Sequence, residues 1–183
     1  MYRSLLAALL LCSASHAGAA TSLYSDLYGS HCKTIDAGHS GTRTRRCQGV
    51  AGYRLLVHEA DATTSVDVVS PRGEVWPLEY WDVVTPGLAR VGRKAEWRMQ
   101  RRGTLLLPTA LLVRLDTASM PGSGPRMASG AILTAARIDA DGACVVYRGS
   151  AAVRTAETAA RSALAARRRC LGVLRADQAE ARP

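Results

Sequence analysis

Four cysteines constrain this chain more than any other feature. The first twenty residues, MYRSLLAALLLCSASHAGAA, carry Arg3, an apolar run from Leu5 to Cys12 and the small residues Ala17, Gly18, Ala19 and Ala20, which is the pattern of a secretory leader that is removed. The run is too short to cross a bilayer as a helix, which takes roughly 20 apolar residues, and no later stretch reaches that length without a charge. A lipid-modified Cys12 is disfavoured, because Leu11 stands where a small residue belongs. Setting residues 1–20 aside leaves Cys32, Cys47, Cys144 and Cys170, an even set that reads as two disulfides with three possible connectivities. Nearness in sequence favours Cys32 with Cys47 and Cys144 with Cys170. A closed loop of about 15 residues stabilises by roughly 3 kcal/mol through restriction of the unfolded chain.

Between the cysteines the pattern is mostly that of strands. GYRLLVHEAD sets Tyr53, Leu55 and Val57 against Arg54 and His58 with a period of two. TTSVDVVSPRGEVWPLEYWDVV continues with β-branched and aromatic residues, interrupted by a turn at Pro71-Arg72-Gly73. KAEWRMQ alternates again, with Ala95, Trp97 and Met99 to one side and Glu96, Arg98 and Gln100 to the other. In TLLLPTALLVRLD, Pro108 implies an edge, a bulge or a break. The Gly-, Pro- and Ser-rich stretch Thr117 to Gly130 reads as a mobile loop. AILTAARI and ACVVYR form a hairpin through Asp139-Ala140-Asp141-Gly142. From Ser150 the Ala-rich segment predicts a helix ending near Gly172, with Val153, Ala156, Ala160, Ala163, Leu164, Cys170 and Leu171 on its apolar face. The expected architecture is α+β: one mainly antiparallel, twisted sheet of about six or seven strands, a single C-terminal helix and two disulfides. It occupies residues 21–174 as one domain, followed by a disordered tail over 175–183.

Candidate chemistry is sparse. Glu96 lies two residues from Arg98 on one strand face, a spacing suited to a cross-strand polar cluster. A catalytic role would need a second carboxylate supplied by folding. HEADA, from His58, has Ala62 where a zinc-protease motif requires a second histidine. DADGAC has Ala143 and Cys144 where a calcium loop requires a ligand and a glycine. His31, Cys32, His39 and Cys47 are of zinc-ligand type, but exported thiols oxidise. CQGVAGY lacks phosphate-loop spacing, and G-x-S-x-G is absent from the sequence. No metal or cofactor is expected. The net charge of +9, lowered by one when Arg3 leaves, comes almost wholly from arginine, since only Lys33 and Lys94 are lysines. Such a bias also fits a GC-rich genome. Arg154, Arg161 and Arg168, seven apart, would line one flank of the helix as an anion-binding stripe, with RRRC (Arg167 to Cys170) at its end. Few aromatics accompany it, which disfavours nucleic acid.

The motifs C-Q-G-x-x-G-Y (from Cys47), V-x-E-x-D (from Val57), G-x-K-A-E-W-R (from Gly92) and P-x-A-L-L-V-R (from Pro108), with a late cysteine and an Ala-rich helix, resemble a group of small exported proteobacterial proteins of unknown function. The chain departs from that group at Asp61-Ala62-Thr63-Thr64, where an acid followed by a basic residue is usual, so no polar cluster at Asp61 is carried over. The resemblance implies an exported fold with paired cysteines and a terminal helix, and it implies no activity. The function expected is that of a periplasmic or secreted, non-catalytic binding module whose partner is an anionic envelope polymer, a lipid headgroup or another envelope protein. The alternatives are a hydrolase using Glu96 and an inhibitor of a secreted hydrolase that presents the Thr117 to Gly130 loop.

Overall fold

The computed structural model describes residues 21–38, 41–118 and 130–174. Residues 1–20, 39–40, 119–129 and 175–183, which include the expected leader, most of the expected Thr117 to Gly130 loop and the expected tail, lie outside the described residues. In chain order the elements are β1 (Thr21–Asp26), β2 (Cys32–Ala37), β3 (Arg43–Gln48), β4 (Arg54–Ala60), β5 (Thr63–Val69), β6 (Val75–Pro77), α1 (Tyr80–Val83), β7 (Ala89–Arg102), β8 (Leu105–Thr117), β9 (Gly130–Ile138), β10 (Ala143–Ser150) and α2 (Ala156–Ala165). The first sheet has the order β1-β7-β8-β9-β10 and the second β2-β3-β4-β5-β6, with every neighbouring pair antiparallel. The fold is α+β with two disulfides, but a single sheet of six or seven strands is wrong: the described residues form ten strands in two five-stranded sheets.

The physical reason lies in the strands that pattern reading passes over. β2 and β3, CKTIDA and RTRRCQ, bury little beyond Arg45 and Cys47, so they show no apolar alternation. Their pairing is instead tied by a covalent bond between direct cross-strand partners, Cys32 and Cys47. The sheets share one core. Cys47, Leu55, Val57, Val66 and Val68 of the second pack with Ala95, Trp97, Met99, Leu111, Val113 and Ala136 of the first. Trp97 is fully buried and donates its indole N–H to Ser25 Oγ at 2.9 Å. Gly49 lets the chain pass close to it, since a Cβ there would lie 2.5 Å from the Tyr53 carbonyl and 2.9 Å from Trp97 Cζ2. Pro108 is accommodated at a register shift opposite Arg98 and Met99, where Thr109 Oγ1 donates to the Arg98 carbonyl at 3.2 Å.

The Ala-rich helix is shorter than its composition suggests. Ser150 still pairs with Ile132 in the β9–β10 ladder, and Ala151 N donates to the Ala131 carbonyl at 2.7 Å, so the ladder captures the start of the segment. Ala156, Ala160 and Ala163 are buried, and Ala160 packs against Leu112 and Ala135 on the outer face of the first sheet. Val153, expected on that face, is exposed. Arg167 takes a left-handed conformation, φ 47°, and ends the helix. Beyond it Cys170 is bonded to Cys144, and Leu171 N donates to the Val145 carbonyl at 2.8 Å, which lays the chain along β10.

Two stability predictions follow from particular backbone and side-chain positions. β4 and β5 are joined by Asp61 and Ala62 alone, with φ of 47° and 66°, a two-residue turn with both φ positive in which glycine is preferred at the second position. Left-handed strain of about 1–2 kcal/mol at an alanine, less about 0.4–1 kcal/mol for the added freedom of unfolded glycine, gives Ala62→Gly a net gain of about 1 kcal/mol. Urea denaturation should show a higher midpoint with an unchanged m-value. Tyr80 is fully buried, and burial pushes its phenol well above the ordinary value of 10.0. The unfolded chain therefore loses this proton first, so Tyr80's contribution is intact below pH 10 and declines as pH rises beyond it. Thermal melts should fall steeply above pH 10, and less steeply in Tyr80→Phe.

Candidate functional site

The expected Glu96 cluster sits on the outer face of the first sheet. β1 places Ser22 opposite Arg98 and Tyr24 opposite Glu96. Glu96 Oε1 accepts from Ser22 Oγ at 2.5 Å and from Arg98 Nη1 at 3.3 Å, while Arg98 Nη1 also lies 2.6 Å from Ser22 Oγ. Arg161 Nη2 of α2 approaches the same carboxylate oxygen at 4.0 Å and pairs with Glu157 at 3.0 Å. The Glu96 side chain is 13% exposed. A carboxylate held this way by a hydroxyl and two guanidiniums fastens β1 and α2 to the sheet.

The three arginines expected along the helix are separated. Only Arg161 lies on α2; Arg154 precedes it and Arg168 follows it. The Arg168 carbonyl accepts from Arg137 Nη1 at 2.8 Å, and Arg167 pairs with Asp139 at 3.1 Å. Asp139 also receives Arg137 at 2.6 Å and begins the turn closed by Asp139 N to the Gly142 carbonyl, so the DADGAC segment is a hairpin turn. Cys32 and Cys47 are joined as a disulfide and hold no thiolate for a metal, and His39 lies outside the described residues. Among the described residues no group of three or more metal-ligand side chains converges.

The second sheet carries a different constellation, which sequence reasoning missed. Its ladder registers Cys32, Cys47, Leu55 and Val68 in one row, facing the core. The next row, Lys33, Arg46, Leu56 and Asp67, therefore points to the opposite face, as do Gln48 and Arg54 in the row on the other side of Cys47 and Leu55. Lys33, Arg46 and Arg54 are exposed, and among the described residues none has an acidic partner. On the same face His58 Nε2 lies 2.7 Å from Asp67 Oδ2 and His58 Nδ1 lies 3.1 Å from Thr44 Oγ1, with the Trp81 ring edge-on to the imidazole. The other two arginines of β3 are occupied. Arg43 and Arg45 both bind Glu59, at 2.6 and 2.8 Å, and Arg45 stacks over Tyr28 with its buried Nε lacking a hydrogen-bond partner. The available signal was RTRRC, which carries three arginines, as many as the RRRC near the C-terminus.

A shallow groove of about 750 Å³ runs beside a second irregularity, where β7 slips register between Val91 and Ala95; it is lined by Tyr28, Arg90, Gly92 and Arg93 among others. Its rim at Ala118 leads into 119–129, outside the described residues, and no site is assigned to it. Comparison with protein families, with curated proteins and with solved structures finds no match to this chain.

Removing the Glu96 carboxylate strands the partly buried Arg98 and Ser22. Glu96→Ala should cost about 1–3 kcal/mol, and Glu96→Gln, which keeps an acceptor, clearly less. Chemical denaturation of both variants checks the order; equal stability would remove the fastening role.

Proposed function

We propose that this protein is a non-catalytic, extracytoplasmic module that holds an anionic envelope polymer on the outer face of its second sheet. The observation that carries the reading is the direct cross-strand opposition of Lys33 and Arg46, with no acid between them. Like charges set opposite on neighbouring strands are destabilising. Here a disulfide one residue away holds them together, its roughly 3 kcal/mol outweighing a repulsion of a few tenths to about 1 kcal/mol. A local rule broken on a rigid, exposed surface is where function is expected. Arg54, two positions along β4 from the Leu56 that neighbours Arg46, adds a third cation to the face, and adjacent strands about 4.8 Å apart set Lys33 and Arg46 side by side for a polyanion. Engagement of Glu96 by Ser22 and Arg98 supports a non-catalytic role. The two disulfides and the leader-like residues 1–20 support an oxidising location.

Titration with polyphosphate across a range of salt concentrations tests this. Affinity should fall linearly in log–log form with salt, and Lys33→Ala/Arg46→Ala should weaken binding roughly tenfold and flatten the slope by about one to two counterions. Arg154→Ala/Arg168→Ala should leave both nearly unchanged. If instead the helix-flanking pair carries the effect, or neither pair does, the assignment of the second sheet fails.

A further inference from the structure

We infer that the tip of the β7–β8 hairpin docks on an anionic lipid surface, with Arg101, Arg102 and Leu105 as its contacts. The hairpin outruns its described neighbours. β9 pairs with β8 only from Ala110, and the described part of β1 begins at Thr21 opposite Met99, so among the described residues Gln100, Arg101 and Arg102 pair solely with Leu107, Leu106 and Leu105. At about 3.3 Å per residue, the four steps from Met99 to Gly103 project roughly 13 Å.

What this projection carries is unusual for a solvent-facing turn. Leu105 is 61% exposed and directly opposes Arg102, while Arg101 lies on the other face opposite Leu106, whose side chain returns to the core. Both arginines are exposed, and neither has an acidic partner among the described residues. A leucine at the extremity with a cation on either side matches a headgroup boundary: the alkyl side chain reaches the acyl region while the guanidiniums remain among phosphates. At the same end Asp139 is met by both Arg137 and Arg167, which leaves Asp141 of the β9–β10 turn as the exposed acid there against the two arginines of the tip.

This surface is separate from the cationic face of the second sheet, so the two proposals stand or fall apart. The test is co-sedimentation with phosphatidylcholine vesicles, with and without phosphatidylglycerol. Binding should require phosphatidylglycerol and drop about thirtyfold in Arg101→Ala/Arg102→Ala, about fivefold for each arginine. Leu105→Ser should lower the binding that persists in high salt. Arg90→Ala/Arg93→Ala, a charge-matched pair at the other end of β7, should bind as the parent does, as should Lys33→Ala/Arg46→Ala. Equal binding with and without phosphatidylglycerol, an equal loss in the tip and control pairs, or association with an envelope protein in place of vesicles would each overturn the inference. Near-ultraviolet circular dichroism of each variant confirms that its core is intact.

Discussion

Each five-stranded sheet has one apolar face, and neither buries it without the other. Leu55, Val57, Val66 and Val68 on one side and Trp97, Met99, Leu111 and Val113 on the other each remove a large side chain from water, worth about 1.5–3 kcal/mol apiece. Their mutual packing is the condition for everything else, because it fixes which face of each strand is left outside. The disulfides then tie to that core the polar β2–β3 hairpin, through the buried Cys47, and the segment after α2.

The two outer faces meet different fates. On the first sheet α2 covers Leu112 and Ala135, and Glu96 draws β1, Arg98 and Arg161 into one polar knot beside it. β8 is thereby buried on both faces over part of its length, which is why TALLVRL reads as a nearly continuous apolar run. The second sheet has no comparable cover over β2 and β3. There Lys33 and Arg46 stay exposed, with no acidic partner among the described residues, while Arg43 and Arg45 of the same hairpin are paired with Glu59.

Legibility followed apolar periodicity. The alternation of KAEWRMQ placed Trp97 inside and Glu96 outside, and the cysteine spacing favoured the pairing the structure contains. β1, β2 and β3 were missed because their side chains are largely exposed and so carry no period of two. The helix was overextended because alanine propensity carries no information about a ladder that holds Ser150 or a disulfide that holds Cys170. Of the charged residues, the closeness of Glu96 and Arg98 could be read along one strand. The opposition of Lys33 and Arg46 depends on register between strands, and the bridging hydroxyl of Ser22 comes from a partner 74 positions away.

The bond between Cys144 and Cys170 has a consequence for the chain's life before oxidation. It holds Leu171 against the outer edge of β10, where the Val145 carbonyl would otherwise offer itself to another molecule. In a reducing compartment that seam loses its covalent closure and keeps the Leu171 and Leu174 backbone hydrogen bonds, Arg137 on the Arg168 carbonyl and the Arg167–Asp139 pair. Closing the bond makes that cover permanent, so the carbonyls along the margin of β10 stay away from the edge strand of a second copy.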